Sequence, residues 1–298
     1  SFQALFVGSG IVTLEGRHFD AHELWRTVQR EQVTQMAIVG DAFAKPMVRA
    51  LEEAEARGEP YDLSSLELII SSGVMWSTET KQALMARGHF LCFDSLGSSE
   101  GVGFAGSISA PGSEPTTAKF SIGARTKVFT DDGREVAPGT KEVGMLAVGG
   151  YIPVGYYKDE RKSASTFRVI NGARWSVPGD FARVEDDGTI ALLGRGSVVI
   201  NSGGEKVFPE EVEEAVKLHP DVTDCLVVGV PDERFGEAVT AVVACRDATL
   251  TAGDLGGALE TLARFKRPRR FVFVPEIVRG PNGKADYKWA KARAAADG

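Results

Sequence analysis

The stretch LGRGSVVINSGGEKVFPEEVEEAV, Leu193–Val216, decides how the rest of the sequence is divided. A glycine stands on each side of Arg195, and glycine tolerates backbone conformations that other residues avoid, so the chain can reorient there at little steric cost. The pattern therefore predicts a hinge between two domains at Arg195. An ordinary connection of strand, turn and helix is the alternative that the spacing leaves open.

The same stretch predicts the structure that follows the hinge. Val198 to Ile200 is a β-branched run that favours a strand, and the next four residues, Asn-Ser-Gly-Gly, are typical of a turn. Pro209 suits the first position of a helix, and the two glutamates behind it favour the positive end of the helix dipole. We expect a helix from Glu210 to Leu218.

The composition is that of a globular protein. The chain has 298 residues, 43% hydrophobic and 25% charged, enough for one large or two ordinary domains. No apolar run approaches the roughly 20 residues that span a bilayer, so no transmembrane segment is predicted. The net charge of −7 argues against a nucleic-acid partner. The segment from Arg264 to Gly298 is nevertheless basic, with ten Lys or Arg against three Asp or Glu, which suits an anionic ligand.

The spacing of the cysteines and histidines does not indicate a metal site. The three cysteines lie among apolar neighbours without metal-ligand spacing, as is typical of a reducing cytosol. His18 and His22 are four residues apart but lack an acidic or cysteine partner that would complete a zinc pattern. The sequence begins at Ser1 without a signal segment. We therefore expect a cytoplasmic protein, with a peripheral membrane location as the alternative. We also expect the chain to be the remainder of a longer polypeptide.

The first 120 residues alternate strand and helix signals, which predicts an α/β fold with a parallel sheet. Asp20 and Glu23 form a capping pair for the first helix, which is expected to run to about Gln32. The further expected helices are Ala42–Arg57 and Glu79–Arg87. The expected strands are Ile11–Leu14, Met36–Val39, Leu66–Ile70 and Phe90–Phe93.

Beyond residue 120 the pattern changes twice. Residues 121–194 carry short strand signals separated by Asp-Gly and Pro-Gly turns, which predicts a β-rich subdomain. Residues 1–194 are thus expected to form one large domain, and residues 195–298 a small, mobile α+β domain. The expected strands are Lys127–Thr130, Met145–Val148, Phe181–Val184, Ile190–Leu193, Asp224–Val230, Val239–Cys245 and Arg270–Val274, with a helix at Leu255–Leu262.

Two loops follow strands of the predicted parallel sheet, where open α/β sheets bind ligands. Ser72 and Gly73 follow one strand, and their small side chains let a flat ring approach the backbone. In the loop after the next strand, Asp94 can accept a hydrogen bond from an exocyclic amine, Ser99 can donate to a phosphate, and Glu100 is a hard oxygen ligand suited to Mg²⁺. The set predicts a nucleotide site, and tight turns with a solvated carboxylate are the alternative.

The run Gly101-Val102-Gly103-Phe104-Ala105-Gly106 matches the dinucleotide fingerprint but is discounted. It does not lie directly between a strand and a helix, and no acidic residue follows about 20 positions later. A Rossmann cofactor site is therefore not predicted.

Three further residues are candidates for binding or chemistry. Asp180 follows a rigid Pro-Gly turn, and a carboxylate held in this way can accept both ribose hydroxyls. Arg195 is a complementary donor to ribose or phosphate, although each residue alone is more often part of a surface ion pair. Lys284 follows a glycine turn in the basic tail, where an ammonium can neutralise a transferring phosphate. A solvated surface lysine is its alternative.

Seven motifs occur in an order that closely resembles the adenylate-forming superfamily, in particular its fatty acyl-CoA ligases. Together they extend over nearly the whole chain and are far more specific than any one match. They are SSG (71–73), LGSSEG (96–101), GD (179–180), GR (194–195), GGEKVFPEEVE (203–213), GVPDERFGEAV (229–239) and NGK (282–284).

The resemblance implies roles for these residues. Around the adenine it places Ser72, Gly73, Asp94, Leu96 and Gly97. It places Ser99 at the α-phosphate or acyl carboxylate, Glu100 at Mg²⁺, and Asp180 with Arg195 at the ribose. Lys284 matches the lysine that bridges the attacking carboxylate and the α-phosphate. Gly203 and Gly204 match the loop that lines the pantetheine channel after rotation about the hinge. The resemblance also implies a distorted barrel for residues 121–194.

Several positions depart from the family pattern. Leu96 replaces the usual aromatic residue, Ser197 and Val198 stand where many relatives have the hinge Lys or Asp, and Asn201 replaces a frequent lysine. The Ser/Thr/Gly-rich phosphate loop is absent from this sequence, and Thr116-Thr117 ahead of Lys119 comes too late to replace it.

We therefore expect part of an ATP-dependent acyl-CoA ligase that uses ATP, Mg²⁺ and coenzyme A, lacks its N-terminal half, and is inactive alone. Its substrate is expected to be a fatty or other bulky lipid carboxylic acid. Arg267, Arg269 and Arg270 are hypothetical contacts for coenzyme A phosphates, with a solvated basic surface as the alternative. An acyl-AMP ligase that serves a carrier protein, a non-catalytic binding module and a homo-oligomer are left open.

Overall fold

The chain forms two compact units, here called unit 1 (Ser1–Gly97 with Ala105–Ala118) and unit 2 (Ser98–Phe104 with Lys119–Gly298). The computed structural model describes residues 2–16, 18–247, 249–280 and 284–296. Within these ranges every helix is too short or too polar to cross a membrane. The predicted α/β class is confirmed. The predicted division at residue 194 differs from the boundary between the two units and stays a prediction.

Unit 1 contains a parallel sheet whose strands β1, β2 and β3 are neighbours in chain order. Asp20 caps the first long helix as predicted, because its side chain accepts hydrogen bonds from the backbone N–H groups of His22 and Glu23. Glu23 does not complete the predicted capping pair, since its carboxylate accepts from the backbone N–H groups of Glu15 and Gly16 instead. The helices are α1 (Phe2–Phe6), α2 (Ala21–Glu31), α3 (Gly40–Ala56) and α4 (Thr78–Met85), and the strands are β1 (Gln35–Ile38), β2 (Leu68–Ser72) and β3 (Leu91–Ser98).

The core of unit 1 lies between these helices and the sheet. Trp25 and Met47 are fully buried, and the Trp25 indole N–H donates to the Met47 carbonyl at 3.0 Å. The predicted strand Ile11–Leu14 is wrong. These residues have no regular structure, and Ile11 and Val12 are about half exposed, because no neighbouring strand pairs with them in the described part of the chain.

The next strand, β4 (Gly101–Ser109), has residues in both units and contains the GVGFAG run, so that run is not a strand-to-helix loop. In unit 2 six strands follow one another in the order β5-β11-β10-β7-β9-β8, with β6 paired to β7. These strands are β5 (Lys119–Ile122), β6 (Thr126–Phe129), β7 (Gly144–Gly149), β8 (Phe167–Ile170), β9 (Ala173–Ser176), β10 (Asp180–Val184) and β11 (Ile190–Arg195), with α5 at Glu160–Thr166.

The described strands do not close into the implied distorted barrel. Strand β8 is the last in the order and pairs only with β9 among them, and its Val169 is 71% exposed. The sheet is therefore open at β8.

The rest of unit 2 is built on an antiparallel pair, β14 and β15, with β16 parallel to β15. Both faces of β14 are buried. Val227 packs in a cluster with Val212 and Val216 of α6, and Leu226 packs in another cluster with Ala290 and Ala294 of α7. The elements are β12 (Ile200–Ser202), β13 (Glu205–Val207), α6 (Pro209–Lys217), β14 (Val222–Asp232), β15 (Gly236–Cys245), β16 (Arg270–Val274) and α7 (Tyr287–Ala296).

Two predicted elements in this region need correction. The strand expected at Val198–Ile200 starts only at Ile200, after a short 3₁₀ turn at Gly196–Val198. The helix expected at Leu255–Leu262 is a 3₁₀ segment at Asp254–Leu259. Two consecutive glycines inside it lower its helix propensity, which favours the shorter form.

Candidate functional site

The predicted adenine residues of unit 1 lie at one edge of the parallel sheet. Ser72 at the end of β2 is opposite Ser95 of β3, and its hydroxyl donates to the Ser95 carbonyl at 2.7 Å. Gly73 follows with φ +90°, a conformation that favours glycine. Leu96 and Gly97 continue β3, where Leu96 is half-buried and Gly97 is exposed. The strand-end placement expected from the sequence is therefore present within unit 1.

The Asp94 carboxylate in β3 is already engaged as a hydrogen-bond acceptor within unit 1. Its side chain is buried and forms an ion pair with Lys81, whose ammonium also donates to the Thr116 carbonyl at 2.9 Å. Burial raises the pKa of Asp94, and the Lys81 charge opposes that rise. Lys81 was not among the residues predicted from the sequence. A usable signal exists, because Lys81 occupies a position on the buried face of α4, and a buried lysine needs an acidic partner.

The loop that contains Thr116 and Thr117 is bound to the start of α4. The Thr117 hydroxyl lies 2.9 Å from both the backbone nitrogen and the hydroxyl of Thr78. These contacts use the Thr117 hydroxyl to hold the loop against the start of α4.

Glu100, in unit 2, is held by a residue that the sequence analysis missed. The Tyr156 hydroxyl donates to Glu100 Oε1 at 2.7 Å, and the Glu100 backbone N–H donates to the Ser98 hydroxyl at 3.2 Å. The hydrogen bond from Tyr156 is the main cause that lowers the pKa of Glu100. Ser99 beside it is exposed. The result is an ionised carboxylate in a fixed orientation.

The side chain of Tyr156 is positioned by its surroundings. Its ring lies 5.6 Å from that of Phe167, and the Lys162 ammonium lies 4.1 Å from its centroid. Its backbone N–H donates to the Ser163 hydroxyl at 2.8 Å. No group of three acidic, histidine or cysteine side chains that could hold a metal occurs in the described ranges. Glu100 would therefore share an Mg²⁺ ion with oxygens of a ligand or with water.

The structure brings Asp180 and Arg195 together, and they are direct partners across the β10–β11 pair. Arg195 Nε lies 3.2 Å from Asp180 Oδ1, with the carboxylate largely buried and the guanidinium exposed. The preceding turn is fixed because Gly196 N–H donates to the Gly179 carbonyl at 2.9 Å. The site thus presents one oriented carboxylate and one guanidinium edge.

Glu210 at the start of α6 contacts the backbone of the predicted hinge. The Arg195 N–H donates to Glu210 Oε1 at 3.3 Å. Within the described residues Glu210 Oε2 is buried without a hydrogen-bond partner. Burial raises the pKa of Glu210 to about 7, Asp180 adds to the rise, and Arg195 opposes it. The sequence indicated only a helix-start carboxylate, because a contact over fifteen residues leaves no local pattern.

Gly194 is closely packed within the predicted hinge segment. Its φ is +133°, and a Cβ atom there would lie 2.2 Å from Glu210 Oε2. Any other residue would be strained in its backbone and would displace the carboxylate. The glycine is therefore required both by conformation and by space.

Gly203 and Gly204 form the two-residue turn between β12 and β13. Their φ values are +63° and +87°, as a type I′ hairpin turn requires. Gly203 N–H donates to the Phe235 carbonyl at 2.8 Å, which fixes the turn beside the start of β15. A Cβ atom at Gly204 would meet nothing within 4 Å, so this side of the turn is open.

Lys284 is exposed on a surface depression of about 340 Å³. The depression is lined by Gly280, Lys284, Ala285, Asp286, Tyr287 and Lys288, so its described lining contains no other predicted site residue. The Gly280 N–H donates to the Lys284 carbonyl at 2.9 Å. Pro281, Asn282 and Gly283, which carry the predicted glycine turn, lie outside the described residues.

Comparisons with known proteins agree with this fold. A family model described as "AMP-binding enzyme" matches residues 1–157, and one described as "AMP-binding enzyme C-terminal domain" matches residues 211–284. The solved structure of ATP-bound MatB from Rhodopseudomonas palustris superposes with a TM-score of 0.79 at 23% identity, over 97% of this chain and 56% of that chain. At that identity the likeness supports the fold alone.

Two curated relatives are more similar in sequence. The 3-oxocholest-4-en-26-oate–CoA ligase of Rhodococcus rhodochrous is 50% identical over 97% of this chain and 53% of its own length. The medium/long-chain-fatty-acid–CoA/3-oxocholest-4-en-26-oate–CoA ligase of Mycobacterium tuberculosis is 48% identical over 98% of this chain and 53% of its own length. The chain thus spans about half the length of the curated relatives it matches.

Proposed function

The chain belongs to the AMP-binding enzyme family, and from that premise we propose that it supplies the ribose-binding, hinge and thioester-forming residues of an ATP-dependent acyl-CoA ligase. The observation that supports the proposal is the Asp180–Arg195 pair at 3.2 Å, which lies beside Gly194 in the predicted hinge. In the first half-reaction a carboxylate attacks the α-phosphate of ATP to give acyl-AMP and pyrophosphate. In the second, the thiol of coenzyme A attacks the acyl carbon and AMP leaves.

In unit 1 the proposed adenine contacts are Ser72, Gly73, Asp94, Leu96 and Gly97. Because Lys81 pairs with the Asp94 carboxylate, we assign Asp94 a role in holding the end of β3 rather than direct capture of the exocyclic amine. The base would then lie against backbone and small side chains. Leu96 offers it an aliphatic surface.

In unit 2 the proposed ribose contacts are Asp180 and Arg195. A carboxylate with two oxygens can accept from both ribose hydroxyls, and Arg195 keeps it in place. Ser99 is proposed to donate to the α-phosphate or acyl carboxylate. Lys284 is proposed to place its charge beside the attacking carboxylate and the α-phosphate as negative charge develops there.

Glu100 fits a magnesium site. Its carboxylate is ionised, partly exposed and oriented by Tyr156, which matches the oxygen donors that Mg²⁺ prefers. When bound, Mg²⁺ would neutralise charge on the phosphates. The contribution of Tyr156 and Glu100 is to hold one oxygen ligand in a fixed orientation.

For the second half-reaction we propose that residues 195–298 rotate about Arg195 as a mobile domain. Gly203 and Gly204 would then line the channel for the pantetheine arm, where the absence of side chains leaves room for a thin chain. The substrate class is proposed from the two curated relatives, whose names give steroid-acid and fatty-acid substrates. We expect a lipid carboxylic acid.

The test separates the two half-reactions in the intact protein by mass spectrometry of acyl-AMP and acyl-CoA. Lys284→Ala should lower acyl-AMP formation by about 10²- to 10³-fold, the usual cost of losing one electrostatic contact in a transition state. It should spare thioester formation from supplied acyl-AMP. Lys288→Ala, which removes the same charge from the same depression, is the matched control.

Three results would contradict the proposal. Equal loss of both half-reactions in Lys284→Ala would remove the assigned role of this lysine. Formation of acyl-AMP by the unmodified protein without any coenzyme A thioester would indicate transfer to a carrier protein instead. Failure of the unmodified protein to form acyl-AMP from any lipid acid would favour the alternative that it is a non-catalytic binding module.

A further inference from the structure

The backbone on either side of Lys284 is held in place. Arg279 and Ala285 form an isolated antiparallel bridge, and the Gly280 N–H donates to the Lys284 carbonyl at 2.9 Å. The Lys284 side chain is exposed on the depression described above. Residues 279–280 and 284–287 are here called the lysine segment. Because the bridge closes this segment, a contact that holds residue 279 also sets the place of the lysine.

Arg279 ties the first part of the lysine segment to β14. Its Nε lies 2.7 Å from Asp224 Oδ2, and its Nη2 lies 2.7 Å from Asp224 Oδ1. The two side chains are only 20% and 24% exposed, and a bidentate pair of this kind fixes orientation as well as distance. The carboxylate also accepts from the Cys225 N–H at 2.8 Å. The pairing of β14 with β15 is irregular between Val222 and Asp224, and such bulges redirect a side chain.

Tyr287 ties the last part of the lysine segment to α6. Its hydroxyl donates to Glu213 Oε2 at 3.4 Å, and Glu213 Oε1 accepts from the Val227 N–H of β14 at 2.9 Å. Glu213 is buried, and the Tyr287 ring packs against the apolar cluster that contains Leu226. The backbone is therefore joined to α6 and β14 both before and after Lys284.

The two polar contacts matter for geometry more than for stability. Ion pairs removed from water often add little net stability, because the cost of desolvation offsets the attraction. The apolar cluster of Leu226, Ala290 and Ala294 already packs α7 against β14. A lysine side chain is flexible, and its ammonium reaches one position repeatedly only if its backbone is fixed. The contacts of Arg279 and Tyr287 supply such a fixed backbone.

We propose that Arg279 and Tyr287 are positioning residues for Lys284, which fix the backbone from which its ammonium reaches the attacking carboxylate and the α-phosphate. The inference rests on the proposed ligase function. Neither residue is assigned a contact with the substrate, and both act through the lysine segment. Their effect is therefore confined to acyl-AMP formation, the half-reaction in which Lys284 is proposed to act.

The experiment combines Arg279→Lys with Lys284→Ala in the intact protein and follows both half-reactions by mass spectrometry. Lysine keeps the charge beside Asp224 but cannot form the bidentate contact. We expect Arg279→Lys to lower the rate of acyl-AMP formation about tenfold, the effect of one lost charged hydrogen bond. Thioester formation from supplied acyl-AMP should not change. In the Lys284→Ala background Arg279→Lys should have no further effect, because the group to be positioned is gone.

Arg134→Lys is the matched control, since Arg134 forms a bidentate pair with Glu142 between β6 and β7. It should leave both half-reactions unchanged. Tyr287→Phe is the second variant and decides the inference if Arg279→Lys does not fold. It removes one hydroxyl and should lower acyl-AMP formation about threefold, the effect of one neutral hydrogen bond, again only when Lys284 is present.

Unchanged acyl-AMP formation in the variant that decides would overturn the inference. So would an equal loss of both half-reactions, or an equal loss with and without Lys284, since each would indicate a role in stability alone. If the unmodified protein forms no acyl-AMP, the proposed function fails first, and hydrogen exchange of the peptide that spans residues 279–287 then decides the inference. Faster exchange in Arg279→Lys than in Arg134→Lys supports it, and equal exchange overturns it.

Discussion

Replacing Glu210 with glutamine tests how a buried carboxylate beside the predicted hinge affects stability. Burial raises the pKa of Glu210 to about 7 from an ordinary value of 4.5. Between pH 4.5 and 7 the folded protein holds a proton on Glu210 that the unfolded chain releases. The contribution of Glu210 to the free energy of unfolding is therefore fully present below pH 4.5 and is lost as the pH rises towards 7. A pKa difference of this size between the folded and unfolded states corresponds to about 3 kcal/mol in the free energy of unfolding. The titratable and charged groups that face Glu210 include Asp180, Arg195, Glu213 and Tyr287.

Glutamine keeps the size of Glu210 and an oxygen that accepts from the Arg195 N–H, but it does not titrate. We therefore expect Glu210→Gln to be about as stable as the unmodified protein near pH 5 and more stable by up to about 3 kcal/mol at pH 8. The assay is urea denaturation at intervals from pH 5 to 8, with the free energy of unfolding compared at each pH. Burial raises the pKa of Glu213 to about 8, but Glu213 is present in both proteins, so most of its contribution cancels.

Glu205→Gln provides the control, since it removes one exposed carboxylate from the β12–β13 hairpin. Its stability difference from the unmodified protein should not vary with pH in this range. Parallel stability curves for Glu210→Gln and the unmodified protein from pH 5 to 8 would refute the reasoning, because they would show that Glu210 is ionised in the folded state throughout.

Three further substitutions have expected outcomes. Lys81→Met leaves the buried Asp94 carboxylate unpaired and should lower the free energy of unfolding by about 3–5 kcal/mol. Adding Asp94→Asn should restore at least half of the lost free energy of unfolding, measured by urea denaturation. No restoration would contradict the ion pair. Gly194→Ala should lower the melting temperature, since positive φ and the close carboxylate both oppose a methyl group; an unchanged value would contradict this packing. Tyr156→Phe should raise the Mg²⁺ concentration for half-maximal acyl-AMP formation severalfold and weaken Mn²⁺ binding measured by electron paramagnetic resonance, whereas unchanged metal binding would argue against a positioning role for Tyr156 at Glu100.

Local sequence patterns predicted much of the fold because the interactions behind them are local. The Asp20 cap bonds backbone groups two and three residues away, and strand Arg270–Val274 is bounded by proline on both sides. The family resemblance, based on ordered motifs, is confirmed by the family models. A local signal was nevertheless overlooked at Asn171-Gly172. These residues, at φ +52° and +77°, form the tight turn of the β8–β9 hairpin.

The parts of the candidate site that were missed depend on long-range contacts. Lys81 meets Asp94 across thirteen residues, Tyr156 meets Glu100 across fifty-six, and Glu210 meets Arg195 across fifteen. Each partner has an ordinary local environment in the sequence, so no periodicity or turn signal identifies it. The strand expected at Ile11–Leu14 failed for the related reason that β propensity alone supplies no pairing partner.

Arg195 is held at two points, its side chain by Asp180 and its backbone N–H by Glu210. If a ribose takes up the oxygens of Asp180, the ion pair that orients Arg195 weakens at the residue that we propose as the hinge. Nucleotide occupancy and hinge angle would then be thermodynamically linked, and any preference of the nucleotide for one angle would appear equally as a preference of that angle for the nucleotide. Under the proposed ligase function, release of AMP would in this way relax the residue about which residues 195–298 are proposed to rotate.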